Sequence, residues 1–324
     1  MSTDDESWPM IEDVVFRLFS DLGGQHTAIG PRLAELGWAD IESEYPVDSV
    51  EVIFRAQGRA LSDTDCLSRT MIAELEGPLG GPVDAIVLPM IGSGTWPTSV
   101  ADGQLHGIVL GPLAGRLAVP VRTATGAVQL GVVAAGELVA TRMDTFDPSV
   151  EWTEVTGTPP AELVDAVLPW ANAVAAAHRG LATELNAMTA RMLEIATELA
   201  STRVQFGAPI GSFQALRHGL SEAAAVLAGA RALLGEAWTY GGATLTLAAK
   251  AAAGRAHRTV SATALQTCGA IGLTAEHDLH RYVRRGFQID ALCGSHQELE
   301  SELADRVFAA DPARHGLPPL VVCR

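Results

Sequence analysis

Apolar positions along this chain change their period twice. From Trp8 to about Gly80 they recur at helical spacing: Phe16, Leu18 and Phe19 share one amphipathic stretch, Leu33, Leu36 and Trp38 the next. Val50 to Leu75 predicts one longer helix, and Gly23-Gly24 and Glu44-Tyr45-Pro46 punctuate the series. From Pro82 to about Val155 the texture becomes short Val/Leu-rich runs between Gly and Pro, with Leu105–Leu110, Ala127–Ala135 and Glu137–Thr141 predicted as strands. Beyond Pro159-Pro160 the helical period returns. Ala-rich helices are predicted from about Leu163 to Arg203, Ser212 to Tyr240, Thr244 to Gly272 and Ala275 to Ala309, interrupted near Gly180 and Gly294. On the second of these Phe213, Leu216, Leu220, Leu227 and Leu234 mark one face.

The predicted fold is therefore mainly α with a small β domain. An N-terminal helical domain covers 1–80, a middle β domain 81–158 and a C-terminal four-helix bundle 159–324. A hydrophobic fraction of 48% with only 5% aromatics means a core of Ala, Leu and Val, which suits close-packed helices. The formal net charge of -16 opposes nucleic-acid phosphates and anionic membrane surfaces, so partners of neither class are expected, and any phosphate ligand must be held by a few local arginines. The cysteines Cys66, Cys268, Cys293 and Cys323 form no C-x-x-C pair and no disulfide framework. With an acidic, polar start at Met1–Glu6 and no long apolar run, the expected compartment is the cytoplasm.

Three segments carry candidate chemistry. The first is Arg203-Val204-Gln205-Phe206-Gly207-Ala208-Pro209-Ile210 with Phe213-Gln214: an arginine and an aromatic ring three residues apart, where one helix stops and another starts. Gly207 and Pro209 suit a tight connection. The second is Gln266-Thr267-Cys268-Gly269-Ala270-Ile271-Gly272, which taken alone is an ordinary helix C-cap. The third runs from Glu276-His277-Asp278-Leu279-His280-Arg281-Tyr282-Val283-Arg284-Arg285 to Leu292-Cys293-Gly294-Ser295-His296-Gln297. His277, His280, His296 and Cys293 could be drawn as a zinc set, but the spacing lacks C-x-x-C support and no metal is expected.

Together these segments resemble the acyl-CoA dehydrogenase family. The first is similar to its R-x-x-F-G-x-x-[IL]-x-x-[FH]-Q motif, the second to its Q-x-x-G-G-x-G stretch with Ala270 in place of the second glycine, and Arg284 to the recurrent arginine of its penultimate helix. The order of helices, small sheet and bundle is also the family's, so the resemblance covers nearly the whole chain. It implies an FAD cofactor, with Arg203 and Phe206 at the pyrophosphate and adenine, Gln214, Gln266 and Gly269 lining the same half, and Ser295 and Gln297 as the later loop's polar contacts.

The departures narrow that implication. In most members the residue before the loop glycine is a glutamate that takes the α-proton of an acyl thioester; here it is Cys293. A thiol is a poor substitute, with an ordinary pKa of about 8.5 and a shorter reach. Other members carry the glutamate early in the bundle, and an ungapped count from Phe206-Gly207 places that position at Ala177. No match to the family's T-E-x-x-x-G-S-D strand and loop lies between Val83 and Val155; Gly92-Ser93-Gly94-Thr95-Trp96 is nearest, with the wrong spacing. The pattern resembles the short subunit of actinobacterial α2β2 steroid-catabolic acyl-CoA dehydrogenases. This implies a longer catalytic partner subunit, an acyl-CoA substrate and an electron-transfer flavoprotein. Two alternatives stay open: a self-sufficient homomer with a relocated base, Glu184 or Glu276, and a flavin-free scaffold.

Overall fold

The computed structural model describes residues 7–92, 100–101, 103–123, 125–274 and 276–308. The chain divides into two compact units, Met1–Gly180 and Leu181–Arg324, each taken by itself below.

The first unit opens with helices α1 (Trp8–Asp21), α2 (Gly30–Glu35), α3 (Trp38–Glu44), α4 (Asp48–Ala60), α5 (Cys66–Ala73) and α6 (Glu76–Leu79). Helices α1 and α4 pack through Val15, Phe19, Val52 and Phe54, all at or near zero exposure, and Arg55 reaches Glu12 at 2.6 Å across their rim. The single helix predicted from Val50 to Leu75 is in fact α4 and α5. Leu61 adopts a left-handed backbone at φ 55°, and the polar residues after it are claimed by other segments. The Asp63 carbonyl accepts from the Thr27 amide at 2.9 Å, the Asp63 carboxylate from the Glu151 amide at 2.8 Å, and the Asp65 carboxylate from the Ile29 amide at 2.8 Å. These long-range hydrogen bonds outweigh helix continuation, whose local gain per residue is small.

The strands follow as β1 (Ala85–Ile86), β2 (Val100–Ala101), β3 (Gln104–Leu110), β4 (Arg116–Arg122), β5 (Val128–Ala134), β6 (Leu138–Arg142), β7 (Trp152–Gly157) and β8 (Val164–Asp165). They form two four-stranded sheets, ordered β1-β4-β5-β8 and β2-β3-β7-β6. Between them lies a core of Val87, Leu105, Val109, Leu117, Val119, Val133 and Val155, supplied by alternate residues of facing strands. The Ser93 and Trp96 positions lie outside the described residues.

Helix α7 (Val167–Thr202) begins in this unit and ends in the second. It runs without a break through Gly180, where the sequence predicts an interruption. A β-carbon there would lie 2.5 Å from the ring of Phe54, so glycine serves close packing rather than a helix stop. Gly180→Ala is expected to lower the unfolding midpoint, because overpacking costs about 1–3 kcal/mol and exceeds the roughly 1 kcal/mol that alanine returns as a helix former. Thermal unfolding followed by circular dichroism checks this.

In the second unit the end of α7 leads into β9 (Val204–Gln205) and β10 (Ala208–Pro209), then α8 (Gln214–Tyr240), α9 (Ala243–Cys268), α10 (Leu279–Asp290) and α11 (His296–Val307). Helix α9 is the axis of this unit and packs against α8, α10 and α11. Ala249, Ala251, Ala253, Gly254 and Ala256 let the neighbours approach closely. Side chains stitch the remaining pairs: Trp238 donates to Thr183 at 3.3 Å, and Ser261 to the sulfur of Met192 at 3.6 Å.

Candidate functional site

The connection between α7 and α8 is a two-stranded hairpin, with Ala208 opposite Gln205 and Pro209 opposite Val204. Its two-residue turn is Phe206-Gly207, at φ 52° and 81°. The type I′ hairpin turn requires positive φ at both central residues, which suits glycine and strains phenylalanine by about 1–2 kcal/mol. At the tip of this turn the Phe206 ring stands outward, 96% exposed, with Phe213 edge-on to it at 6.2 Å. The base of the hairpin is fixed: the Arg203 amide donates to Leu199 O at 2.9 Å, the Ile210 amide to Arg203 O at 2.8 Å, and Gly211 lies so close to Ala200 O that a β-carbon would sit 2.9 Å from it.

Arg203 joins this hairpin to the end of α9. Its Nη1 donates to Cys268 O at 3.4 Å, satisfying a carbonyl at the negative end of the α9 dipole. The side chain is otherwise exposed, so most of its donors face outward. The pairing with Glu198 open to a helix arginine does not occur; Glu198 and Glu194 both face Arg191. Beyond Cys268, Gly269 has φ 65° and ψ -149°, a conformation open essentially to glycine alone, and a β-carbon there would meet nothing within 4 Å. Burial pushes the Cys268 thiol up, opposed by the Arg203 guanidinium. Gln266 in the last turn of α9 and Gln214 at the start of α8 are exposed. The structure thus brings Arg203, Phe206, Gln214, Gln266 and Gly269 to the two chain turns linked by one arginine, amid exposed Val204, Ile271 and Leu273.

Ser295 and Gln297 are elsewhere. They stand at the start of α11, which lies along α9 where Glu300 pairs with Arg255, about 20 Å of helix from Cys268. Ser295 caps α11: its hydroxyl accepts from the Glu298 amide, and the Glu298 carboxylate accepts from the Ser295 amide at 2.8 Å. Gln297, the second residue of α11, is exposed. The base positions are closed. Ala177 is fully buried in α7, and Cys293 is buried at φ 56° with its thiol pushed up to about 12 by desolvation. Of the relocated-base candidates, Glu184 is 2% exposed and Glu276 lies exposed before α10.

One cluster has no counterpart among the sequence-derived candidates. Lys250, wholly buried in α9, donates to Asp290 O at 2.9 Å, Asp290 Oδ1 at 3.2 Å and Gly294 O at 3.2 Å. Asp290 also accepts from His296 Nδ1 at 2.6 Å and from the His296 amide at 3.3 Å. Burial alone would raise the Asp290 carboxyl, but Lys250 and His296 outweigh it and hold it below the usual range. One signal was available: Lys250 is the only lysine in the chain, set in an Ala-rich helix. Among the described residues no group of three His, Cys, Asp or Glu side chains stands at metal-binding distance.

A hairpin that presents an arginine and an aromatic ring beside the end of a bundle helix matches a known domain: residues 175–305 fit the family model described as acyl-CoA dehydrogenase, C-terminal domain. Residues 175–305 thus carry this family's C-terminal domain, and the chain as a whole has the acyl-CoA dehydrogenase fold. Among its relatives is the acyl-CoA dehydrogenase IpdE2 of Mycobacterium tuberculosis, 28% identical over 304 residues that cover 92% of this chain and 87% of that one. Solved structures with the same fold include a steroid acyl-CoA dehydrogenase, Tcur3481-Tcur3483, at TM-score 0.76 and 22% identity, covering 93% of this chain and 97% of that one. Another is the ChsE4-ChsE5 complex from Mycobacterium tuberculosis, at TM-score 0.68 and 20% identity, covering 95% and 89%. Among the described residues no helix is long and apolar enough to cross a membrane.

Proposed function

We propose that this chain is the shorter, non-catalytic subunit of an FAD-dependent acyl-CoA dehydrogenase heteromer of α2β2 type. The complex oxidises a CoA thioester, derived from a steroid, to the α,β-enoyl-CoA and passes electrons to an electron-transfer flavoprotein in the cytoplasm. The observation that carries this reading is the contrast between the two kinds of position: Ala177 and Cys293 offer no carboxylate and are buried, while Arg203 and Phe206 are presented outward.

The residues fit the cofactor. Arg203 has outward donors for a pyrophosphate, Phe206 an exposed face for adenine stacking, and Gly269 open space where a backbone amide can approach a phosphate. Arg203, Phe206, Gln214, Gln266 and Gly269 would hold the adenosine diphosphate half of an FAD whose ring belongs to the longer subunit's site. Ser295 and Gln297, remote from them along α9, belong to a second site that lacks its base. Bound FAD supplies the acceptor for the β-hydride, and the longer subunit supplies the carboxylate that removes the α-proton. The name of one structural neighbour supports a steroid-derived substrate, and that of another supports a heteromer. IpdE2 is called an acyl-CoA dehydrogenase, Tcur3481-Tcur3483 is called a steroid enzyme, and ChsE4-ChsE5 is a complex.

Co-expression with the genomic neighbour encoding the longer subunit, followed by flavin and protein quantitation, tests the proposal. One flavin per pair of unlike chains is expected. One flavin per chain, reducible by an acyl-CoA in the isolated protein, would establish the homomeric alternative instead.

A further inference from the structure

We propose that Lys250, Asp290 and His296 are positioning residues that lock the 291–295 loop with residue 293 turned into the bundle, so that this loop offers no proton acceptor to a substrate. The inference deepens the non-catalytic reading and rests on it.

The geometry is specific to lysine. An ammonium has three N–H donors, and Lys250 has three acceptors within 3.2 Å: the carbonyl that ends α10, the Asp290 carboxylate and the carbonyl of Gly294. Two of those acceptors bracket Cys293, so the loop is held on both sides of the base position. Asp290 then reaches forward to the His296 amide and ring at the start of α11, tying the end of one helix to the beginning of the next. Space is reserved for the cluster: a β-carbon on Gly254 would lie 2.1 Å from Asp290 Oδ1 and 2.8 Å from the His296 β-carbon. Within this frame Cys293 takes a left-handed backbone unfavourable to a β-carbon, Gly294 follows at φ 92°, and Leu299 packs on Gly294. The thiol is buried beside the Lys250 ammonium and away from solvent. A buried ion pair contributes little net stability, but removing one partner leaves the other charge buried and uncompensated. A lone buried lysine in a chain that otherwise uses arginine fits a positioning role.

The test is peptide-resolved alkylation of the native full-length chain with iodoacetamide, with buried Cys66 of the first unit as internal reference. In the wild type both thiols are expected to react slowly. Lys250→Met is expected to raise the Cys293 rate about 10-fold or more with Cys66 unchanged, as for local opening of one loop. Asp290→Asn keeps the side-chain volume and carries the same expectation with a smaller rise, which serves where Lys250→Met does not fold. Lys250→Arg, a planar fork on a longer stem, is not expected to restore protection. Fast Cys293 alkylation in the wild type, an unchanged rate in both variants, or equal acceleration at Cys66 and Cys293 would each overturn the lock. Failure of the non-catalytic reading shows separately, as acyl-CoA-dependent flavin bleaching by the wild-type chain alone.

Discussion

Replacing Arg203 with alanine is expected to weaken flavin binding by the assembled complex by roughly 10- to 100-fold, the loss of charge-assisted hydrogen bonds to a pyrophosphate. The chain should remain folded. In the free structure the guanidinium makes one long hydrogen bond, 3.4 Å to Cys268 O, and its side chain is exposed; such surface substitutions shift stability by about 0.5 kcal/mol or less. Function and fold therefore separate at this residue. The hairpin is set by backbone hydrogen bonds of Arg203 and Ile210 that alanine keeps, so Phe206 stays presented. Arg203→Lys should bind flavin better than the alanine variant and worse than the wild type, since a point charge cannot reproduce the fork. Flavin absorbance per complex after gel filtration reads the effect. Full occupancy in Arg203→Ala would remove Arg203 from the site and favour the scaffold alternative.

Legibility from sequence followed the range of the interactions involved. The helix, sheet and bundle order rests on local period, and the strands at 104–110, 128–134 and 138–142 stand where short Val/Leu-rich runs put them, whereas β4 and β7 were not foreseen. Gly180 and Leu61 misled for the same reason: tertiary partners override local preference. At Gly180 the ring of Phe54 fills the space a side chain would need, so an apparent helix breaker is a packing contact. At Leu61 the helix ends because Asp63 and Asp65 are wanted by backbone amides 36 to 88 residues distant in sequence, which no window can foresee. A tight connection was legible because Gly207 and Pro209 are local turn chemistry; that it forms a hairpin with phenylalanine at positive φ was not. Ser295 and Glu298 have capping-box spacing, which the reading of Ser295 as a cofactor contact passed over; the structure gives Ser295 a helix-capping role independent of any cofactor. Lys250 reaches partners 40 and 44 residues further on, and the cluster could be suspected only from the singularity of that lysine.

Acidification from pH 6.5 to about 4 is expected to cost the second unit roughly 3 kcal/mol through His257 alone. The imidazole is wholly enclosed, and burial pushes its pKa from 6.5 down to about 4, with the Tyr282 carbonyl only partly opposing. Its Nε2–H donates to Tyr282 O at 3.2 Å, Phe287 stacks edge-on at 5.4 Å, and Gly286 is so near that a β-carbon would overlap the ring. The native state therefore holds the neutral ring while the unfolded chain takes the proton, so between these two values the unfolded state binds more protons. Stability then falls with falling pH, by up to about 1.4 kcal/mol per pH unit. Above pH 6.5 the contribution is constant. His26, in the first unit, works in the opposite window. Burial is the largest single effect and lowers its pKa, but Asp63, 3.3 Å away, together with Asp65 and Glu151 raises it more, so its contribution is full below 6.5 and fades as pH rises through the elevated value. Urea midpoints at pH 7, 5.5 and 4.5 should show the acid-side loss. His257→Gln, which can keep the donor to Tyr282, should be less stable at pH 7 and show a flatter acid slope. An unchanged slope in that variant would assign the acid sensitivity to another group.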